Sequence, residues 1–417
     1  MSYPVTSPTI YASWKNGTYS PPIAAVFVPL LPESQRMNFT LYLPPQRQHR
    51  LAVSAYFFLA GLCFSSWTSR IPDIQQKLHL DNAALGGVLL GLPVGLMASL
   101  PLAGWLVARF GSRPIAIFAA MLYAATLPML GLVNTPWQLV ACLLCFGMFG
   151  NGLNISINTQ AIGTEVIYGR TIMASYHGLW SLAGFAGASI GNAFISFGWL
   201  PWQHFLIITT LACTIVVVIS RHLITRDTNS DKNRPIFAWP DRSLINLGII
   251  AFCSMICEGA MFDWSNVYFK QVIIPPKALA GIGLTAFMFT MAAGRFLGDW
   301  LATKWGMRRM LRFSGILTTT GLLLAILFPW LLPALAGFLF VGAGVSSVVP
   351  LVYSAAGRSR VLSPGVALAA VSTIGYLGFL FGPPFIGFIA QASSLRVSLG
   401  LIAILGSIIA LFASKIK

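Results

Sequence analysis

What this 417-residue chain has least of is charge: Asp, Glu, Lys and Arg make up 9% of it, against roughly 25% in ordinary soluble domains. A water-soluble protein of this length must show a wetted surface, and 26 basic plus 10 acidic residues cannot cover one. That excludes a cytosolic enzyme, a disordered chain and a secreted scaffold. The sequence also lacks a G-x-x-x-x-G-K-[ST] phosphate loop and the cleavage-site pattern of a signal peptide. Its six cysteines (Cys63, Cys142, Cys145, Cys213, Cys253 and Cys257) all lie in apolar runs. Cys142 and Cys145 have C-x-x-C spacing, but no second pair of ligands stands near them, so neither a disulfide nor a metal site is expected. No cofactor is expected either, and no nucleophile–base pair points to a membrane enzyme.

What is present is apolar: 56% of the residues are hydrophobic and 39 more are glycine. A membrane-crossing helix needs about 20 mostly apolar residues. Twelve such runs are read, at about 50–69, 85–108, 114–134, 137–160, 172–197, 202–220, 243–264, 279–302, 309–330, 332–356, 366–391 and 396–415. Runs of this length fit helices; barrel strands would alternate over about 10 residues. The expected fold is an all-α membrane protein of twelve transmembrane helices in two six-helix halves.

The net charge of +16 is not that of a nucleic-acid binder, which clusters its cations on one face. Here they fall in short groups between apolar runs. With the N-terminus inside, 20 basic residues lie in cytoplasmic segments and five (Arg70, Lys77, Lys270, Lys277 and Arg396) lie outside. That split puts both termini in the cytoplasm of a bacterium, with the chain in its inner membrane. The organisation read from this is a cytoplasmic tail over 1–49, with 1–36 disordered or upstream of the start used in the cell. A first half at 50–220, a cytoplasmic linker at 221–242 and a second half at 243–417 follow. GWLVARFGSR at 104–113 repeats as DWLATKWGMR at 299–308, an offset of 195 residues, and Gly187 and Gly382 share that offset. Duplicated halves are the mark of a rocking transporter whose substrate sits near the midplane.

An ionisable group in the bilayer needs a partner, a wet cavity or a function. Glu258 and Asp263 stand in the seventh run, about 140° apart on a helix, and are candidate proton carriers. His177 is a third, because imidazole titrates near neutral pH. The plain alternative for Asp263 is a pairing with Arg70 at the outer mouth. Asn151, Asn154 and Asn158 share an arc of about 60° on the fourth run and are expected to line a substrate cavity with His177, Ser181, Tyr376 and Trp264. Trp67 and Trp264 also fit interfacial anchors. Arg295 with Asp299, near the cytoplasmic end of the eighth run, and Glu165 with Arg170 are expected to act in gating. The expected partners are a small-molecule substrate, protons and the lipid bilayer, with the protein a monomer.

GWLVARFGSR resembles the G-x-L-A-D-R-x-G-R-R loop of the major facilitator superfamily, and the resemblance covers about 50–415. HGLWSLAG at 177–184, CEGAMFDW at 257–264, AAGRFLGDW at 292–300 and GYLGFLFGPP at 375–384 are similar to the fucose-permease-like group, and within it to YbjJ-type bacterial inner-membrane proteins. The resemblance implies the major facilitator fold and alternating access, with Arg109, Gly111 and Arg113 as loop residues that govern the conformational change. Ala108 and Thr303 stand where the loop motif is acidic. Thr68 and Asn154 stand where the group's sugar–proton symporters hold carboxylates, so that proton pair does not carry over. The function expected is proton-coupled transport of a small polar, sugar-like solute by symport. The alternative is drug or metabolite efflux, against which stands Ala188, where efflux members carry a proline in helix five.

Overall fold

The computed structural model describes residues 44–169, 172–227, 242–358 and 364–415; residues 1–43 of the expected tail and 228–241 of the expected linker lie outside them. Among the described residues all regular structure is helical, and twelve helices are long and apolar enough to cross a membrane. The first six spans are Pro45–Ser69, Asn82–Phe110, Ser112–Leu132, Pro136–Tyr168, Met173–Ser196 and Pro201–His222. The last six are Leu244–Ile273, Lys277–Gly298, Met307–Leu327, Leu331–Ala356, Ala370–Ala392 and Leu395–Ala413. Helices are what a bilayer permits, because each backbone N–H and C=O finds its partner within its own segment.

Prolines break two spans. In span two the helix is interrupted between Leu89 and Gly91, and in span ten at Ser346–Ser347. Pro93 and Pro350 explain the positions: a proline ring clashes with the carbonyl four residues earlier, at Leu89 and Ser346 respectively.

The duplicated loops repeat in geometry. Gly111 has φ +86° and Gly306 φ +79°, a left-handed backbone that glycine adopts without penalty. Their N–H groups close the preceding helices on Val107 and Ala302, both at 2.9 Å. These loops and the arginines around them define the basic face of the bundle; the opposite end is the far face. In the first half an extra acid serves the loop. Asp227, just after span six, accepts from the Ser112 N–H at 2.7 Å and from its hydroxyl. A carboxylate at the start of a helix meets the positive end of the helix dipole. Gln160 of span four binds the Ser112 hydroxyl at 2.7 Å and brackets Ile224, donating to its carbonyl at 2.9 Å and accepting from its N–H at 2.8 Å.

The two halves meet at the far face. Lys270 donates to the Pro72 carbonyl at 3.1 Å and to Gln76 at 2.8 Å, and stands 3.6 Å from Asp73. Asn82 of span two reaches Gln271 and Gln391. Asn192 of span five accepts from the Gly281 N–H at 2.7 Å and donates to the Ala278 carbonyl at 3.1 Å. Where spans two and eleven cross, a Cβ on Gly387 would lie 2.4 Å from the Asn82 carbonyl, and one on Gly86 would lie 2.6 Å from that of Pro383. Only hydrogen side chains let these backbones touch.

Candidate functional site

Between the halves lies a cavity of about 720 Å³, within the range that holds small-molecule ligands. Ala174 and Pro350, which line it near the basic-face ends of spans five and ten, are exposed, while the far face is bridged as described. The cavity therefore opens toward the basic face. Its walls are largely apolar, with aromatic rings from both halves. Phe64 and Trp180 of the first half stand 5.0 and 6.2 Å from Phe262 of the second, ring centre to ring centre.

Charge enters this wall from the second half. Arg295 of span eight donates from Nη2 to Glu258 Oε1 of span seven at 3.1 Å. Its Nη1 donates to the Ser181 hydroxyl of span five at 2.7 Å, and its guanidinium lies 5.4 Å above the Trp180 ring. One arginine thus touches both halves. Asp263 lines the same cavity. It does not pair with Arg70, which is buried at 1% exposure and bound to Asp73 at 2.7 Å and His204 at 3.3 Å. Burial pushes the Arg70 guanidinium down from its ordinary pKa, and the bond to Asp73 opposes that shift.

The first half contributes neutral groups. Asn154 is exposed to the cavity and Asn158 lines it one turn on, with the Asn158 amide donating to the Asn154 side-chain oxygen at 2.9 Å. His177 lines the cavity with Phe57 edge-on at 5.3 Å. From the second half, Tyr376 of span eleven adds a phenol to the lining.

Several expectations need correction. Asn151 does not line the cavity: it is buried and donates to the Ser99 hydroxyl of span two at 2.9 Å. The amide stripe is wide enough for its first member to fall in the crevice between spans two and four. Trp264 and Trp67 are neither cavity residues nor interfacial anchors, being 0% and 1% exposed in the core. Ser181 is buried and reaches the cavity only through Arg295. Arg295 stands three residues before the basic-face end of its span, Lys277–Gly298, on a helix that runs on to Trp305, and its side chain lines the cavity. Asp299's side chain and Arg170 lie outside the described residues. Glu165 turns its carboxylate to the N–H groups of Ile172 and Met173, at 2.6 and 2.8 Å, capping span five. Arg109 lies over Trp105 and Phe110 on the basic face. Glu258 and Asp263, though 140° apart by helix geometry, both border the cavity, which wraps around span seven. Trp180 and Tyr353 were not anticipated. The signal for Trp180 was its place one turn beyond His177; Tyr353 had none. Among the described residues no group of three metal-ligating side chains gathers.

Two six-span groups around a central cavity open at one face define a membrane transporter. The chain belongs to the major facilitator superfamily, whose profile matches residues 53–359 and 274–416. It is 33% identical to an uncharacterized MFS-type transporter of Yersinia pestis, over 87% of this chain and 94% of that one. In fold it is similar to a bacterial homolog of the human lysosomal transporter Spinster in an inward-facing, occupied conformation, with a TM-score of 0.70 and 18% identity over 90% of this chain and 98% of that one. The E. coli fucose:proton symporter is also similar, with a TM-score of 0.59 and 16% identity over 88% of this chain and 98% of that one. At such identities the likeness shows the fold alone. Members of this superfamily are transporters, not enzymes.

Proposed function

We propose that the protein is a proton-coupled secondary transporter that moves a small polar solute by alternating access, in a bacterial inner membrane with its basic face and termini in the cytoplasm. The observation that carries this is the pair of carboxylates, Glu258 and Asp263, on the wall of a cavity shared by both halves. A carboxylate at this depth is stable only with a proton, a cation or a hydrogen-bonded partner, and exchanging one of these for another couples ion to substrate. The basic face is the cytoplasmic one because loops rich in Lys and Arg stay inside, and on that assignment the cavity faces inward. The two glycine loops with Arg109, Gly111 and Arg113 bound the moving halves at that face.

The test is transport in proteoliposomes loaded with a panel of polar solutes, read as counterflow and as accumulation under an imposed pH gradient. Glu258→Gln, which mimics the protonated acid, should abolish accumulation and keep counterflow. Asp263→Asn should act more mildly. Undiminished accumulation by both variants would refute proton coupling through span seven.

A further inference from the structure

The geometry points to Arg295 as the seat of a substrate carboxylate, with Glu258 as the internal counter-ion that a proton removes. This rests on the transporter reading above and names the chemical class of its solute: an organic monocarboxylate with an apolar body.

Arg295 has five N–H donors in a planar fork and cannot be deprotonated. Glu258 takes one from Nη2 and Ser181 one from Nη1. Nε–H is buried with no hydrogen-bond partner among the described residues. Nε and Nη2 form one edge of the fork, the edge that grips a carboxylate bidentately. Half of that edge is free and the other half is held by Glu258. Trp180 against the guanidinium plane, at 5.4 Å, fixes its orientation without using a donor. Arg295 lines the cavity, so a planar anion that took the place of Glu258 there would complete this edge, and Phe57, Phe64, Phe262 and Phe379, which line the same cavity, suit an apolar body.

The charge count sets the coupling. With Glu258 ionised, the pair is neutral and a second carboxylate would put two anions on one cation. A proton on Glu258 removes one of them, and the substrate carboxylate then takes the whole edge. Proton and anion bind together and release together. Among the described residues, the other titratable groups that line this cavity are Tyr123 from span three, His177 from span five, Tyr353 from span ten, Tyr376 from span eleven and Asp263 on Glu258's own helix. His177 is the one whose protonation would also favour an anion, so it must be tested beside Glu258.

Calorimetric titration of the purified full-length protein in detergent tests this with three probes of one shape: phenylacetate, phenylacetamide and 2-phenylethylammonium. Phenylacetate should bind at least about fivefold tighter at about pH 5.5 than at about pH 7.5, and the other two should bind weakly at both. Glu258→Gln should hold phenylacetate tightly at both pH values, erasing the dependence, while His177→Gln retains it. Arg295→Lys, which keeps the charge and loses the fork, should weaken phenylacetate by about tenfold. Equal binding of the amide, preference for the ammonium probe, no phenylacetate binding, or loss of the pH dependence in His177→Gln would each overturn the proposal. Pairing these titrations with the transport assay separates the two readings. Driven accumulation of an uncharged solute without phenylacetate binding sinks the anion seat alone. Phenylacetate binding without pH-driven accumulation sinks proton coupling alone.

Discussion

The far face contains the same crossing twice, built in two ways. Gly86 on span two meets Gly387 on span eleven, and Gly281 on span eight meets Asn192 on span five. Each residue of the first pair stands 195 positions from its counterpart in the second, the offset of the internal repeat. One crossing packs backbone against backbone, with a single bond from the Asn82 N–H to the Gln391 side chain beside it. The other carries an asparagine that accepts from Gly281 and donates to Ala278. Contact through glycine is all or nothing, since any side chain wedges it apart, whereas an amide clamp loosens by one hydrogen bond at a time. The duplication thus preserves where the halves touch and leaves free how strongly.

The cavity divides the same way. Its ionisable acids and its arginine, Glu258, Asp263 and Arg295, come from the second half, and its amides Asn154 and Asn158 come from the first. Counting back 195 from each charged residue finds Cys63, Thr68 and Leu100. One half offers a neutral wall and the other a charged one.

The comparison breaks hardest at the glycine crossing. Gly387→Val places carbon 2.4 Å from a backbone carbonyl that cannot turn away, and forced overpacking costs about 1–3 kcal/mol. Because opening the far face relieves it, the cost should appear as a shift of about tenfold or more toward the far-open conformer. Spin labels on spans two and eleven would show a lengthened distance; an unchanged distance would mean that the crossing is no gate. Asn192→Ala should act at the other crossing and less strongly. The bonds it removes are worth about 0.6–1.7 kcal/mol each in membranes. A modest rise in labelling of a far-face cysteine should report it, smaller than for Gly387→Val. The smallest effect separates another repeated pair. A Cβ on Gly187 would stand 2.8 Å from the Leu62 carbonyl, while one on Gly382 would meet nothing within 4 Å. Gly187→Ala should lower the melting temperature, and Gly382→Ala should leave it unchanged or raise it through the helix propensity of alanine, about 1 kcal/mol. Equal melting temperatures would show that the repeat packs alike at both positions.

The fold was legible in the sequence because the bilayer reduces it to run length and loop charge. Twelve runs are read and twelve helices long and apolar enough to span are present among the described residues, and the repeated GWLVARFGSR loop appears as a repeated φ at Gly111 and Gly306. The site was legible only in part. Glu258, His177, Asn154 and Asn158 were found by polarity within an apolar helix. Arg295 was read with Asp299 from their i, i+4 spacing, and its bonds to Glu258 and Ser181 cross to two other spans, which spacing along one helix does not show. Asn151 failed for another reason: a 60° arc is wide enough to straddle the boundary between cavity and packed crevice. Which neighbour lies across that boundary is a tertiary fact that one helix does not contain.

The tie among Asp227, Ser112, Gln160 and Ile224 has a mechanical meaning. It joins the entrance of span three, the basic-face third of span four and the exit of span six into one plate at the basic face. A seesaw delivers its stroke only if the beam does not flex. If the halves rock as proposed, stiffening one arm at the basic face would carry a tilt at one membrane surface undiminished to the other, where the crossings would part.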